Sequence, residues 1–279
     1  MEPIEIDPAS PFVPQEPVNG RAIAPVWHTV VLVAGIVAYS IHGASRFSAA
    51  HGPVDRLATY GMTMAMEAGI FAWVVLGLRL KKTPLRLLFG HSTLSLRSIA
   101  ADIGFAFVFW IAALMVLGTL SVAWLGVEAA ITHRSPIADA VRQTVQTGQT
   151  STPDSSRGQA LRAVAEVAPA NGREIAAWAL LCLIAGFVEE VVFRGYLQRQ
   201  FIGWARGSVA AGVIASALVF GGAHGYEGAR AMFLITVFGV LFSLLALYRR
   251  SLRAGIFAHV WHDLITGLVV FVLRSFHIF

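Results

Sequence analysis

Long apolar stretches separated by polar connections dominate the chain. Seven of them approach or exceed the length of about 20 residues that an α-helix needs to cross a bilayer. They cover residues 26–43, 59–79, 103–126, 175–198, 208–225, 230–248 and 254–273. Inside lipid, a single apolar segment satisfies its backbone polar groups as a helix. The pattern predicts an all-α, polytopic transmembrane helix bundle of about seven spans, or eight if one further segment is re-entrant or interfacial.

Two polar segments interrupt this series. Residues 1–24 are rich in proline and lack the basic start and short apolar stretch of a signal peptide, so we expect a disordered tail. Residues 127–174 contain the linker-like stretch "TGQTSTPDSS" and form a polar connecting segment. The remaining chain divides into N-terminal transmembrane helices over 25–126 and a C-terminal transmembrane core over 175–279.

Composition agrees with a membrane protein. Hydrophobic residues make up 56% of the chain and charged residues only 13%, against about 25% in soluble domains. The one cysteine, Cys182, lies in an apolar stretch, which excludes a disulfide framework. The net charge of +5 comes from basic residues at the ends of apolar stretches, where membrane anchoring places them. We therefore expect the lipid bilayer, and no nucleic acid, as a partner.

The distribution of basic residues predicts an orientation. The loops on the side of the N-terminus carry 12 Lys and Arg, and the opposite loops carry 4 once the long 127–174 segment is left out. The positive-inside rule then places the N-terminus in the cytoplasm. Arginine outnumbers lysine 19 to 2, which favours a GC-rich bacterial source and hence the bacterial inner membrane.

Several ionisable residues lie inside the predicted spans. A charge near the middle of a membrane helix costs about 2.5–3.5 kcal/mol on insertion scales, so each must face a partner or a water-filled cavity. The residues are Glu67, Glu189, Glu190, Arg194, His224, His259, His262 and Asp263. Most of them fall in the last third of the chain, which predicts a polar site there. For Glu67, a structural role is the favoured interpretation.

Helical spacing indicates which of these side chains meet. Glu190 and Arg194 are four residues apart with the acid first, which favours a mutual pair. Glu189 points about 100° away from Glu190 and is left free for chemistry. His259 and Asp263 share a second face in the same way.

The fifth predicted span raises a question of depth. His224 follows Phe220 in "FGGAH", whose glycines let another backbone approach closely. If this helix begins near Ser208, His224 lies about 24 Å along it and far from mid-membrane. The helix is then tilted, late in starting or re-entrant.

These residue types suit three functions. A glutamate can take a proton from water while histidines orient it or stabilise an oxyanion, and the same residues can bind zinc. Buried ionisable groups also serve proton-coupled transporters, although their concentration in one half of the chain argues against inverted repeats. A non-catalytic membrane partner, such as a self-immunity protein, is the third alternative.

Three motifs in order resemble those of a known family. Glu189–Glu190–x–x–x–Arg194, Phe220–x–x–x–His224 and His259–x–x–x–Asp263 are similar to the EExxxR, FxxxH and HxxxN/D motifs of the CPBP intramembrane proteases. This family is also called the CAAX-processing endopeptidase or Abi family. The resemblance covers about residues 175–273. It implies an intramembrane endopeptidase that hydrolyses a peptide bond in a membrane-associated peptide or protein.

The resemblance also implies residue roles. Glu189 would activate the water, His224 would share it, and His259 with Asp263 would form the oxyanion side. Asp263 stands where many members have asparagine, and a carboxylate donates no hydrogen bond unless it is protonated. A supporting set would comprise Glu190, Arg194, Phe220 and His262, although His262 lies outside the motifs and also fits a packing role. The cofactor is none or a divalent metal such as zinc, whose ligands would be Glu189, His224, His259 and Asp263.

Overall fold

The computed structural model describes residues 21–49, 54–90, 95–132 and 163–276. Across these residues the chain is helical, and its only extended pairing is an isolated bridge between Gly90 and Ser251. The helices are α1 (Val26–Ala49), α2 (Arg56–Leu80), α3 (Arg86–Phe89), α4 (Leu96–Thr132), α5 (Gly172–Glu189), α6 (Gln198–Trp204), α7 (Val209–Ala223), α8 (Ala229–Arg249) and α9 (Arg253–Ser275), with a π-helix over Glu190–Leu197 and a 3₁₀ turn over Gly225–Glu227. The predicted all-α helix bundle is confirmed.

Six helical stretches in the described part of the chain are long and apolar enough to cross a membrane. They include α1, α2, α4, α8 and α9, together with one continuous stretch from Gly172 to Trp204 that joins α5, the π-helix and α6. The remaining predicted span, 208–225, corresponds to α7, which has 15 residues and is about 22 Å long. It is shorter than the roughly 30 Å hydrocarbon core, and the chain continues through the 3₁₀ turn into α8.

A hairpin explains the depth of His224. The stretch that contains Glu189 does not end at 198 but continues to Trp204, and α7 begins only after a turn at 205–208. Glu189 lies 16 residues before Ala205, and His224 lies 16 residues after Ser208. Because the two arms are antiparallel, both side chains reach a similar level in the bundle. The depth of His224 therefore requires neither a large tilt nor a re-entrant course of the fifth predicted span.

Each end of the bundle has its own ion pairs. At one end, the Asp102 carboxylate contacts Arg249 and Arg253 at 2.6 and 2.5 Å, which joins α4 to α8 and α9. At the opposite end, Arg56 lies 3.8 Å from Glu174, at the start of α5. These clusters lie where helices end, as interfacial anchors are expected to do.

The start of the described chain is part of the packed structure. The Gln200 side chain accepts hydrogen bonds from the amides of Ile23 and Ala24 and donates one to the Ala24 carbonyl. Residues 21–24 therefore differ from the disordered tail predicted for 1–24, whereas residues 1–20 lie outside the described part. Of the predicted 127–174 connecting segment, residues 133–162 also lie outside it.

Candidate active site

The EExxxR motif lies where α5 becomes a π-helix. Glu189 is the last residue of α5, and Glu190 begins the π-helix, in which all eight residues are buried. π-Helical turns are rare and frequently occur at functional sites. Here the wider turn follows directly after Glu189, and the two adjacent glutamates have different surroundings.

Glu190 is held through one oxygen, Oε1, whereas its Oε2 is buried without a hydrogen-bond partner among the described residues. Its Oε1 accepts hydrogen bonds from Arg194 Nη1 at 2.8 Å and from His259 Nδ1 at 3.1 Å. The Arg194 guanidinium also lies over the rings of Phe220 and Phe242, at 4.3 and 4.9 Å from their centroids. The predicted pairing of Glu190 with Arg194 is confirmed, and the network extends from the π-helix to α9.

A glycine on α9 makes room for this network. A Cβ at Gly255 would lie 2.8 Å from Glu190 Oε2, so a larger residue there would displace the carboxylate or the helix. A second close approach occurs at Gly221, where an added Cβ would clash with Thr236 of α8. The close backbone approach predicted for the "FGGAH" glycines is confirmed at Gly221.

Glu189 is partnered far less completely than Glu190. Its Oε2 lies 3.6 Å from His259 Nε2, which is too long for a hydrogen bond, and it has no hydrogen-bond partner among the described residues. The side chain is 19% exposed and lies on the wall of a cavity. Glu189 is therefore the glutamate that is free to interact with a bound molecule, as its helical direction predicts.

His224 lies on the wall of the same cavity, directly after the end of α7. Its Nδ1 lies 2.9 Å from the Phe220 carbonyl oxygen, which can only accept a hydrogen bond. Nδ1 therefore carries the proton of the neutral imidazole, and Nε2 keeps its lone pair. This geometry gives the Phe220–x–x–x–His224 spacing a physical reason, because the backbone of Phe220 fixes the histidine tautomer.

Asp263 and His259 also meet. Asp263 Oδ2 lies 3.7 Å from His259 Nε2, so Nε2 faces both Asp263 and Glu189 while Nδ1 donates to Glu190. His262 lies apart from these contacts, with its ring centroid 4.9 Å from that of Phe238. The position of His262 fits the packing interpretation of this residue.

The cavity has a volume of about 730 Å³. Its wall contains Glu189 and His224 but not His259 or Asp263, which lie behind Glu189. Apolar faces of α1 and α2 form much of the opposite wall, together with Glu67. From the sequence, a structural role for Glu67 is the favoured interpretation. Glu67 is the twelfth residue of the 25-residue helix α2, and an ionisable side chain near the middle of a membrane helix is itself a signal of a functional site.

Two further polar residues, Tyr226 and Glu227, follow His224 in the 3₁₀ turn and were not singled out from the sequence. Their side chains interact, and Tyr226 lines the cavity. Burial raises the pKa of the Glu227 carboxyl above its ordinary value, and the nearby His224 opposes that shift. Their position in the sequence, two and three residues after the predicted site residue His224, was the signal that could have placed them near the site.

The described side chains do not converge into a set of three metal donors. Among the residues that the structure describes, no group of three or more His, Cys, Asp or Glu side chains is placed to hold a metal ion. The zinc set suggested by the sequence is thus not assembled here, and no step below is derived through a metal.

Comparison with known proteins supports the resemblance. Residues 171–265 match the family described as Rce1-like, type II CAAX prenyl endopeptidase. This segment is about a third of the chain and contains all three motifs. No curated protein and no solved structure matched the chain. Over residues 171–265 the chain is thus similar to type II CAAX prenyl endopeptidases, which confirms at family level the resemblance that the three motifs carry.

Proposed function

We propose that this protein is an intramembrane endopeptidase that hydrolyses a peptide bond of a membrane-associated substrate with a water activated by Glu189 and His224. The observation that carries the proposal is that both side chains line one cavity. Glu189 has no short hydrogen bond to a described residue, its side chain is 19% exposed, and His224 has its Nε2 lone pair free of the backbone hydrogen bond. A water between them would find two acceptors for its two protons.

The reaction follows from these positions. Glu189 takes one proton from the water as the oxygen attacks the peptide carbonyl, and His224 accepts the second hydrogen bond and fixes the direction of attack. The carbonyl oxygen becomes an oxyanion in the tetrahedral intermediate. Glu189 then gives its proton to the leaving nitrogen, so the C–N bond breaks and the carboxylate is restored.

His259 supports Glu189 from behind. Glu190 holds Nδ1, and Nε2 faces the carboxylates of Glu189 and Asp263, so the imidazole orients the base. The oxyanion role predicted for His259 and Asp263 requires Nε2–H to turn towards the substrate. Because neither residue is on the cavity wall, that role stays a prediction.

Cleavage of membrane peptides tests the proposal. Wild-type protein in proteoliposomes should cleave bonds in a library of apolar peptides, read by mass spectrometry, and Glu189→Ala should remove every one of these cleavages. Asp55→Asn is the matched control, since it removes one carboxylate from an exposed position while asparagine still caps α2. Cleavage that persists in Glu189→Ala would exclude this residue as the base.

Metal dependence is tested separately. Since the described side chains form no metal-binding set, we expect cleavage to survive exhaustive chelation with no metal found by elemental analysis. Loss of cleavage on chelation, with recovery on adding zinc, would show that the site rearranges around a metal.

The cellular substrate is a second part of the proposal. The matched family is described as a type II CAAX prenyl endopeptidase, so a prenylated CAAX protein is one candidate substrate, and the apolar cavity also suits other membrane-associated peptides. Comparison of membrane-protein termini in cells with wild type and with Glu189→Ala would identify the substrate. New termini present only with wild type are expected. Full biological function in a Glu189→Ala, His224→Ala double variant would favour the non-catalytic membrane partner instead.

We further propose a bacterial inner-membrane location with the N-terminus in the cytoplasm, based on the asymmetry of basic loops. The two termini of the described chain lie at opposite ends of the bundle, because Ile23 contacts Gln200 and Arg274 contacts residues 165–169. Reporter fusions at each terminus should therefore report opposite sides of the membrane.

A further inference from the structure

The cavity wall opposite Glu189 carries an unpartnered carboxylate. Glu67 is only 6% exposed, lies near the middle of α2 and lines the cavity. It forms no hydrogen bond or ion pair with any residue that the structure describes. Thr63, one turn earlier on the same face, donates its hydroxyl to the Thr59 carbonyl and not to Glu67. The carboxylate is therefore directed at the cavity without a protein group to compensate it.

The surroundings of Glu67 have a deficit of positive charge. Among the residues that the structure describes, no Lys or Arg lines the cavity, and the buried Arg194 is held by Glu190. Glu67 is close enough to Glu189 and His259 to interact with their charges. Glu227, in the turn after His224, adds another carboxylate that interacts with Glu189.

The α1–α2 wall is mainly apolar, and its other polar side chains, Tyr39, Thr59 and Thr63, are uncharged. On α2, Ile70 and Trp73 follow Glu67 on the same face, and α1 contributes Leu32 and Ile36. Gly35 and Gly69 have open space where a Cβ would be, which widens the cavity next to Glu67. A carboxylate in such surroundings favours a cation, because a largely apolar wall screens the pair less than bulk water does.

We propose that this cavity is a substrate subsite in which Glu67 binds a cationic group, an alkylammonium or a guanidinium, carried on an apolar segment beside the bond that Glu189 attacks. The proposal rests on the proposed endopeptidase function and adds the substrate feature that the α1–α2 wall selects. Glu67 lies outside residues 171–265, so this preference would belong to the part of the chain that the family match does not cover.

Binding can be measured apart from cleavage. Three apolar nonapeptides with N-methylated backbones, which resist cleavage, carry a fluorophore at the C-terminus. The first peptide has a central lysine and an acetylated N-terminus. The second has norleucine instead of the lysine and keeps the acetylated N-terminus, so it is neutral. The third has norleucine and a free N-terminus. Anisotropy is measured with full-length protein in nanodiscs, with empty nanodiscs as the background.

Wild type is expected to bind a cationic peptide at least about tenfold more tightly than the neutral one, as a charge-assisted hydrogen bond allows. Preference for the lysine peptide identifies a side chain as the ligand, and preference for the free N-terminus identifies the α-ammonium group. Equal affinity for all three peptides would overturn the proposal.

Glu67→Gln should bind the cationic and the neutral peptide with about equal affinity, because the amide keeps the size of the side chain and removes its charge. Glu67→Asp should keep part of the preference for the cationic peptide, and Asp55→Asn should keep all of it. A preference that survives in Glu67→Gln would overturn the assignment to this residue. Thiol labelling of Cys182, which is 2% exposed when folded, shows that each variant is folded before binding is compared.

The cleavage library separates this inference from the proposed function. Wild type should cleave bonds with Lys or Arg enriched at one fixed position, and kcat/KM for such substrates should fall in Glu67→Gln. Cleavage that depends on Glu189 but shows no basic preference would overturn this inference alone. Selective binding without any cleavage would contradict the endopeptidase and leave the cation site in place.

Discussion

Two groups of polar side chains share the interior of this bundle, and they differ in how completely they are partnered. Glu190, Arg194 and His259 form a network of short contacts in which the cation and the carboxylate are both buried. Glu67, Glu189 and His224 face a cavity, and neither glutamate has a short hydrogen bond to a described residue. We infer that the first group holds the helices together and the second carries the chemistry.

The difference has an energetic reason. A buried ion pair is tolerated when hydrogen bonds compensate the cost of removing both charges from water, and breaking one partner is then expensive. An unpartnered buried carboxylate lacks that compensation and lowers stability. Glu67 and Glu189 thus carry a cost that a bound substrate would offset, so the following variants should separate stability from activity.

The largest effect on stability is expected at Arg194. Arg194→Met keeps a long side chain but leaves Glu190 buried without its cation, which should lower the free energy of unfolding by about 3–5 kcal/mol. A denaturing-detergent titration followed by Cys182 labelling measures this change, since the thiol is buried in the native protein. A loss under about 1 kcal/mol would show that the network is not the structural group.

The adjacent glutamates give a sharper test of the same comparison. Glu190→Gln should lower the free energy of unfolding by about 1.5–3 kcal/mol, because two charge-assisted hydrogen bonds lose their anion. Glu189→Gln should leave it unchanged or raise it, because no short hydrogen bond is lost and a carboxylate without compensation becomes neutral. The same titration measures both variants, and equal losses would remove the distinction between the two groups.

A smaller effect is expected at Tyr196, on the other side of the π-helix. Its hydroxyl contacts His28 Nδ1 at 3.0 Å and Thr29 Oγ1 at 2.8 Å, which ties the π-helix to α1. Tyr196→Phe should cost about 1–2 kcal/mol, since it leaves buried polar groups on α1 with fewer partners. Cleavage per folded molecule should stay at the wild-type level. A large loss of cleavage would show that this contact shapes the cavity as well.

The smallest effect is a change in pH dependence at Glu227, between α7 and α8. Burial raises the pKa of its carboxyl, so the folded state favours the protonated form. The stability from this group is fully present below its ordinary value of 4.5 and is lost as the pH rises through the raised value. Glu227→Gln cannot ionise and should therefore become more stable relative to wild type at higher pH. Thermal unfolding followed by tryptophan fluorescence should show no difference below pH 4.5.

Several features could be predicted from the sequence because they depend on local patterns. The apolar stretches gave the spans, since membrane helices are defined by length and hydropathy. The four-residue spacings of Glu190 with Arg194 and of His259 with Asp263 correctly placed these side chains together. The direction of Glu189 away from that pair was also correct.

Other features depend on how helices pack, which single-chain patterns do not specify. The π-helix at Glu190–Leu197 has no local signature in the sequence, since its side chains fit an ordinary helix as well. The apolar pattern ends the fourth predicted span at 198, whereas Gln200 is buried against α1 and the helix continues to Trp204. The orientation of Glu67 towards the site depends on the packing of α2 against α5, and the spacing of residues within α2 gives no information about it.

The central claim is that a water, activated by Glu189, attacks the substrate directly. A single-turnover cleavage by wild type in ¹⁸O-water tests it, with the new carboxyl terminus analysed by mass spectrometry. The account predicts that one ¹⁸O atom from the solvent enters the product in the first turnover. A first-turnover product that carries only ¹⁶O would contradict the account, because its new oxygen would have come from the protein through a covalent intermediate.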